Sequence, residues 1–187
     1  EGARLKLPAT DLSALTEPRT AVSLAAVELQ DPGGCPRYLG HVITGVTVAP
    51  SPLFYRLRLS RLGVRPRSNV VDATNLALLE WGHPLHAFDL ASLAERKVVV
   101  RRARAGETLK TLDDQQRALL PTDVVIADAT QPVAIAGVMG GQNSEVRGST
   151  TEILLESAYF EPSAVRRTAR RLKLHTEASH RFERGMD

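Results

Sequence analysis

The sequence predicts an α+β fold, in which a mixed β-sheet or barrel-like β core is flanked by helices. Short apolar runs rich in β-branched residues (Val98-Val99-Val100, Val124-Val125-Ile126-Ala127 and Val133-Ala134-Ile135-Ala136) suit strands covered on both faces. Between and around them lie helical segments that open on serine or proline and stop at glycine. No internal repeat or low-complexity tract interrupts this pattern, and the chain has the composition of a globular protein, 43% hydrophobic and 24% charged. Its 187 residues suffice for one sizeable domain.

Residues 1–35 read as a linker from a preceding domain, punctuated by Pro8, Pro18, Pro32 and Gly33-Gly34, with one strand-like run from Ala21 to Leu29. Residues 36–187 form the domain proper. Tyr38 to Val48 reads as a strand, bounded by Pro50. Ser51-Pro52 supplies a helix cap and a first-turn proline for a helix running to about Leu62 and stopped by Gly63. Leu53 and Leu57 mark its apolar side, and Arg56, Arg58 and Arg61 its basic side. Val70 to Trp81 predicts a second helix, ended by Gly82 and Pro84. His83 to Asp89 then reads as a proline-interrupted loop. A polar hairpin is expected around Asp113-Asp114, a glycine-rich turn over Gly137 to Gly141, and a strand over Glu152 to Glu156. Pro162 starts a final helix, with Ala164, Val165, Thr168, Ala169 and Leu172 on one face and Arg166, Arg167, Arg170 and Arg171 on the other.

Composition narrows the function classes. Aromatic content of 4% argues against a nucleic-acid surface built on base stacking. The lone Cys35 cannot form an internal disulfide, and without a CxxC pair a structural zinc site is not expected, which points to a reducing, cytoplasmic setting. No apolar stretch is long enough to span a membrane. The chain begins Glu1-Gly2 and stops at Met186-Asp187 without a closing cap, and so reads as a domain cut from a longer polypeptide. Net charge is only +3, yet residues 162–187 carry seven basic groups against three acids. That face is either a phosphate-binding surface or a solvated helix side.

Four segments concentrate polar chemistry. Asn69 to Asn75 precedes His83-Pro84-Leu85-His86-Ala87-Phe88-Asp89, where His86 can exchange a proton or orient water near neutral pH, or else cap a short helix together with Asp89. Gly137-Val138-Met139-Gly140-Gly141 lets backbone approach a ligand closely, or simply makes a tight turn; it is neither a P-loop nor a dinucleotide fingerprint. Glu156 lies on the same strand face as Leu154, which favours burial over an exposed edge. The last segment runs from Leu174 to Gly185. In it His175 and His180 stand five apart, a spacing that does not suit a helical metal pair, so no metal site is expected.

Taken in order, Val70-Val71-Asp72-Ala73-Thr74-Asn75, the His83–Asp89 block, Gly137–Gly141, Leu154-Leu155-Glu156 and His175–Gly185 resemble the signature blocks of the B3/B4 domain in bacterial-type phenylalanyl-tRNA synthetase β subunits. The resemblance runs from about Cys35 to the end. It implies a single B3/B4-type domain of a β subunit in an (αβ)2 synthetase. There the α subunit, with ATP and magnesium, aminoacylates tRNA-Phe, and this domain, needing no cofactor, hydrolyses mischarged Tyr-tRNA-Phe. The alternative is a non-catalytic tRNA-binding or assembly module of the same enzyme.

Carried over position by position, the resemblance implies an editing pocket of Arg65, Asn75, His86, Gly137, Gly140, Glu156, Thr176 and Ala178. Pro66-Arg67 after Arg65, and Lys173-Leu174 before the His-Thr block, depart from the family pattern. His86 and Thr176 are the catalytic candidates, and the Gly140 and Gly141 N–H groups the candidate oxyanion donors. A phenylalanine pocket rejects tyrosine poorly, so a second site demanding the hydroxyl is chemically sensible. An ionised Glu156 would accept a hydrogen bond from the phenol and would be left unpaired by phenylalanine.

Overall fold

The computed structural model describes residues 19–185. Most of the expected linker, with Pro8 and Pro18, lies outside the described residues. The strands are β1 (Ala26–Leu29), β2 (Arg37–Thr44), β3 (Leu85–Asp89), β4 (Lys97–Arg102), β5 (Thr108–Lys110), β6 (Gln116–Ala118), β7 (Val124–Ala127), β8 (Pro132–Ile135), β9 (Met139–Gly140) and β10 (Glu152–Tyr159). Helices α1 (Leu53–Arg61) and α2 (Asn69–Trp81) lie between β2 and β3, and α3 (Pro162–Leu172) and α4 (Glu177–Phe182) follow β10.

These form a five-stranded sheet in the order β1-β4-β7-β8-β9, a three-stranded sheet in the order β2-β10-β3, and the β5-β6 hairpin. The fold is α+β with mixed pairing, since β1 runs parallel to β4 while the other ladders are antiparallel. The sheets stay open, so the mixed-sheet form of the expectation holds and no barrel closes. Every residue of β7 and β8 is buried, as their unbroken apolar runs require of strands covered on both faces. Phe88, Leu154 and Ala158 of the small sheet share one core with Val100, Val125, Val133 and Ile135 of the large sheet and with Ala164, Val165 and Ala169 of α3.

Several expectations change once pairing partners are known. Only Ala26–Leu29 of the Ala21–Leu29 run is extended; it pairs with β4, so the large sheet takes in part of the expected linker. The expected loop at Leu85–Asp89 is a strand, because β10 offers it a complete antiparallel partner. Met139-Gly140, within the expected glycine turn, pairs with β8. The last helix is α4 rather than α3, closed at its start by reciprocal hydrogen bonds between Thr176 and Ser179. Ser51 does not cap α1; its hydroxyl donates to the buried Asp72 carboxylate at 2.6 Å and so ties the β2–α1 connection to α2. The remaining Asp72 oxygen accepts from the Arg67 N–H at 2.8 Å. Helix α2 itself follows expectation, with Ser68 accepting from the Val71 N–H and Gly82 left-handed at its end.

Candidate functional site

The site is built on the inner face of the small sheet. In its register His86 of β3 stands opposite Glu156 of β10, and Gly40 of β2 stands opposite Glu156 on the other side. Directly opposed residues project to the same face, so the imidazole and the carboxyl are neighbours. The His86 ring meets Phe88 edge to face, with centroids 4.5 Å apart, which fixes its plane. Beside the pair lies a cavity of about 300 Å³, at the small end of the range for ligand sites. Its walls are mostly apolar, from Leu78, Leu85, Leu112, Ile135, Val138 and Phe182, with Asn75, His86, Glu156 and Thr176 among the polar residues.

Glu156 is only 5% exposed, and its Oε2 is buried without a hydrogen-bond partner. Burial pushes the carboxyl up to about 8, opposed in part by the Tyr38 phenol beside it. Burial likewise pushes the His86 imidazole down to about 4. Both groups are therefore neutral near pH 7, which revises the expectation of an ionised glutamate. The physical reason is burial, with no cation beside the carboxyl among the described residues to offset it. A neutral carboxyl both donates and accepts, so it still suits a phenolic hydroxyl.

The glycines divide between roles. Gly137 turns the chain between β8 and β9 with φ +67°, and a Cβ there would come within 3.0–3.1 Å of Val165, Phe160 and Phe182. Gly140 lies against the imidazole, where a Cβ would fall 2.7 Å from His86 Cε1. Gly141 does not line the cavity, and its N–H donates to the Val133 carbonyl at 2.8 Å. It is therefore not the free oxyanion donor expected of it.

Thr176 lines the cavity but its hydroxyl is committed: it donates to the Val138 carbonyl at 3.0 Å and accepts from the Ser179 N–H. A hydroxyl has one proton to give, so Thr176 caps α4 and pins it to the glycine turn, and it has no proton left to donate to a substrate. Ala178, in the first turn of α4, lines the cavity next to it. Asn75 reaches the cavity from α2, and its amide has no protein partner among the described residues. Arg65 lies exposed in the connection between α1 and α2, outside the cavity wall, because that connection runs along the surface. Asp89 does cap a short turn, accepting from the Ala91 N–H, whereas His86 caps nothing.

Leu112, carried by the turn of the β5–β6 hairpin, lines the cavity although it stays partly open to solvent, and nothing in the polar hairpin marked it in the sequence. A second cleft of about 340 Å³ on the other face of the small sheet is lined by Ile43, Val70, Ile153 and Leu155. Its polar side chains, Asn69 and Thr74, already bond backbone carbonyls, so it lacks groups to orient a polar ligand. Among the described residues no group of three or more His, Cys, Asp or Glu could hold a metal ion.

The sequence profile of the B3/4 domain matches residues 34–187. The chain belongs to the B3/4 domain family. Its relatives include the phenylalanine–tRNA ligase beta subunit of Geobacter sulfurreducens, 53% identical over 186 residues, and that of Carboxydothermus hydrogenoformans, 50% identical over 186 residues. The alignment takes in 100% of this chain but 23% of each relative, so this B3/4 domain spans less than a quarter of their length. An N-terminal fragment of the phenylalanyl-tRNA synthetase beta subunit from Pyrococcus horikoshii shares the fold, with a TM-score of 0.51 over 72% of this chain and 42% of that one, at 10% identity.

Two expectations follow from the geometry of the B3/4 domain. Gly140→Ala drives a methyl into the imidazole, and a loss of about 1–3 kcal/mol in urea unfolding is expected, with displacement of the His86 ring signals in NMR spectra. The Glu156 carboxyl titrates near 4.5 in the unfolded chain and near 8 in the folded one. Between those values the folded state holds the extra proton, so stability falls as pH rises. Glu156→Gln abolishes this slope, and relative to wild type the variant should gain on the order of 3 kcal/mol between pH 5 and pH 8. Parallel stability curves for the two proteins would refute a buried, proton-binding carboxyl.

Proposed function

We propose that this domain is the editing site of a phenylalanyl-tRNA synthetase β subunit and hydrolyses tyrosine from mischarged tRNA-Phe. The observation that carries the reading is Glu156, a buried carboxyl with an unpartnered oxygen in the wall of a mostly apolar cavity. A tyrosyl side chain entering ring first offers that carboxyl a phenolic hydroxyl, whereas a phenylalanyl ring leaves it without one. The names of the relatives support the synthetase setting, in which the partners are an α subunit and tRNA-Phe in an (αβ)2 assembly of the cytoplasm. ATP and magnesium belong to aminoacylation on the α subunit in this reading. Among the described residues no helix is long and apolar enough to cross a membrane. Exposed Arg166, Arg167 and Arg170 on α3 would meet tRNA phosphates.

In this reaction water attacks the ester carbonyl, and the bond to the terminal ribose oxygen breaks. The proton lost by the water ends on that leaving oxygen. A neutral imidazole that burial keeps from protonating is a poor base, so His86 acts by accepting a hydrogen bond from the water and aiming it. A neighbouring ribose hydroxyl can then carry the proton. With Gly141 committed to Val133, the oxyanion falls to the Gly140 N–H, and Asn75 holds the aminoacyl backbone.

The whole synthetase, assayed with Tyr-tRNA-Phe and Phe-tRNA-Phe, tests this. Glu156→Ala is expected to lower kcat/KM for the tyrosyl ester about 10–100-fold, with little effect on the phenylalanyl ester. His86→Ala is expected to slow both by a similar factor through loss of water positioning. Unchanged hydrolysis in both variants would overturn the site, and tRNA binding without any deacylation would leave the domain as an assembly module.

A further inference from the structure

Beside Glu156 on the same sheet face, outside the cavity wall, stands a phenol of the protein itself. Tyr38 of β2 pairs with Ala158, and Gly40 pairs with Glu156 itself, so Tyr38 is the diagonal neighbour of Glu156 on the same sheet face. Diagonal neighbours lie within reach when one side chain is aromatic and the other long. The residue directly opposite the carboxyl is a glycine, which places no side chain of its own between the two. Tyr38 is 8% exposed and does not line the cavity.

Two oxygens in this arrangement lack a completed hydrogen bond: Tyr38 Oη and Glu156 Oε2, both fully shielded from solvent. A phenylalanine at position 38 would fill the same core volume without burying an unpaired hydroxyl, which ordinarily costs stability. A hydroxyl kept there needs a partner in some state of the protein, and the carboxyl it neighbours is the candidate the sheet register supplies. The two groups sense each other: burial first, and then the charge of Glu156, pushes the Tyr38 phenol well above its ordinary range, while the phenol draws the carboxyl down. Cys35, the other polarisable group nearby, is buried and bonds the Arg37 carbonyl through its thiol, so it does not compete for the phenol.

We propose that Tyr38 is a positioning residue: when a ligand hydroxyl engages the Glu156 oxygen that faces the cavity, the Tyr38 phenol, unpaired in the free protein, closes a hydrogen bond to the other oxygen and holds the carboxyl toward the ligand. The carboxyl is thus clasped between an internal phenol and the phenol of a tyrosyl ligand. Fixing one oxygen removes the rotation that would let the carboxyl turn away from an entering ring, and so sharpens the demand for a hydroxyl. This inference rests on the proposed editing function and adds a specificity determinant outside the cavity wall.

The test uses Tyr38→Phe in the whole synthetase, with Tyr-tRNA-Phe and Phe-tRNA-Phe as substrates. The tyrosyl ester should lose about tenfold in kcat/KM, chiefly as a rise in KM, while the phenylalanyl ester is unchanged. Thermal unfolding should show no loss of stability, since the substitution deletes an unpaired hydroxyl and little volume. In a double-mutant cycle with Glu156→Gln, Tyr38→Phe should have no further effect on the tyrosyl-to-phenylalanyl ratio. An unchanged ratio in Tyr38→Phe, an equal fall in kcat for both esters, or additivity in the cycle would each overturn the role of Tyr38. If the wild-type synthetase fails to deacylate Tyr-tRNA-Phe, the editing function itself falls, and the inference with it.

Discussion

Glu156 occupies the middle of β10, the central strand of the small sheet, where its side chain is turned inward among apolar neighbours. Little of it reaches solvent, no cation stands beside it among the described residues, and its Oε2 has no partner. Such a group is costly to bury, and the cost is lowered by keeping the proton on. The neighbouring features accommodate that choice. Gly40 places no side chain opposite the carboxyl, His86 faces it uncharged, and Gly140 comes close enough to the imidazole to leave no room for a methyl. The Thr176–Val138 hydrogen bond then fixes α4 across the opening.

The neutrality of both central groups separates binding from proton transfer. An ion pair between them would satisfy the two groups with each other. Two neutral groups can instead turn to a ligand that both gives and takes hydrogen bonds. The geometry thus suits recognition of a hydroxyl and alignment of water, more than proton abstraction by a strong base.

Much of this could be seen in the sequence where local signals agree with tertiary ones. Helix α2 carries its own serine cap and glycine stop, and β7 and β8 are apolar at every position. Burial of Glu156 followed from its sharing a face with Leu154. The rest was hidden because it depends on partners distant in sequence. Strand β3 holds His86 and Asp89 and no β-branched residue, and it is extended only because β10 pairs with it. Helix α4 is six residues long and too polar to announce itself without its Thr176–Ser179 cap. Ser51 reads locally as a cap, but a buried carboxylate 21 residues away outcompetes the helix end for its hydroxyl. The commitments of Thr176 and Gly141, and the neutrality of Glu156, follow from neighbours that spacing alone does not reveal. Tyr38 carried no motif at all, and only the β2–β10 register brings it to the carboxyl.

The most direct measurement is a crystal structure of the domain with L-tyrosine bound. The ring is expected in the cavity beside Leu78 and Ile135, with its phenol oxygen within hydrogen-bond distance of the Glu156 carboxyl. A tyrosine bound elsewhere, or with its hydroxyl turned to solvent and the carboxyl untouched, would contradict hydroxyl recognition by a buried glutamate.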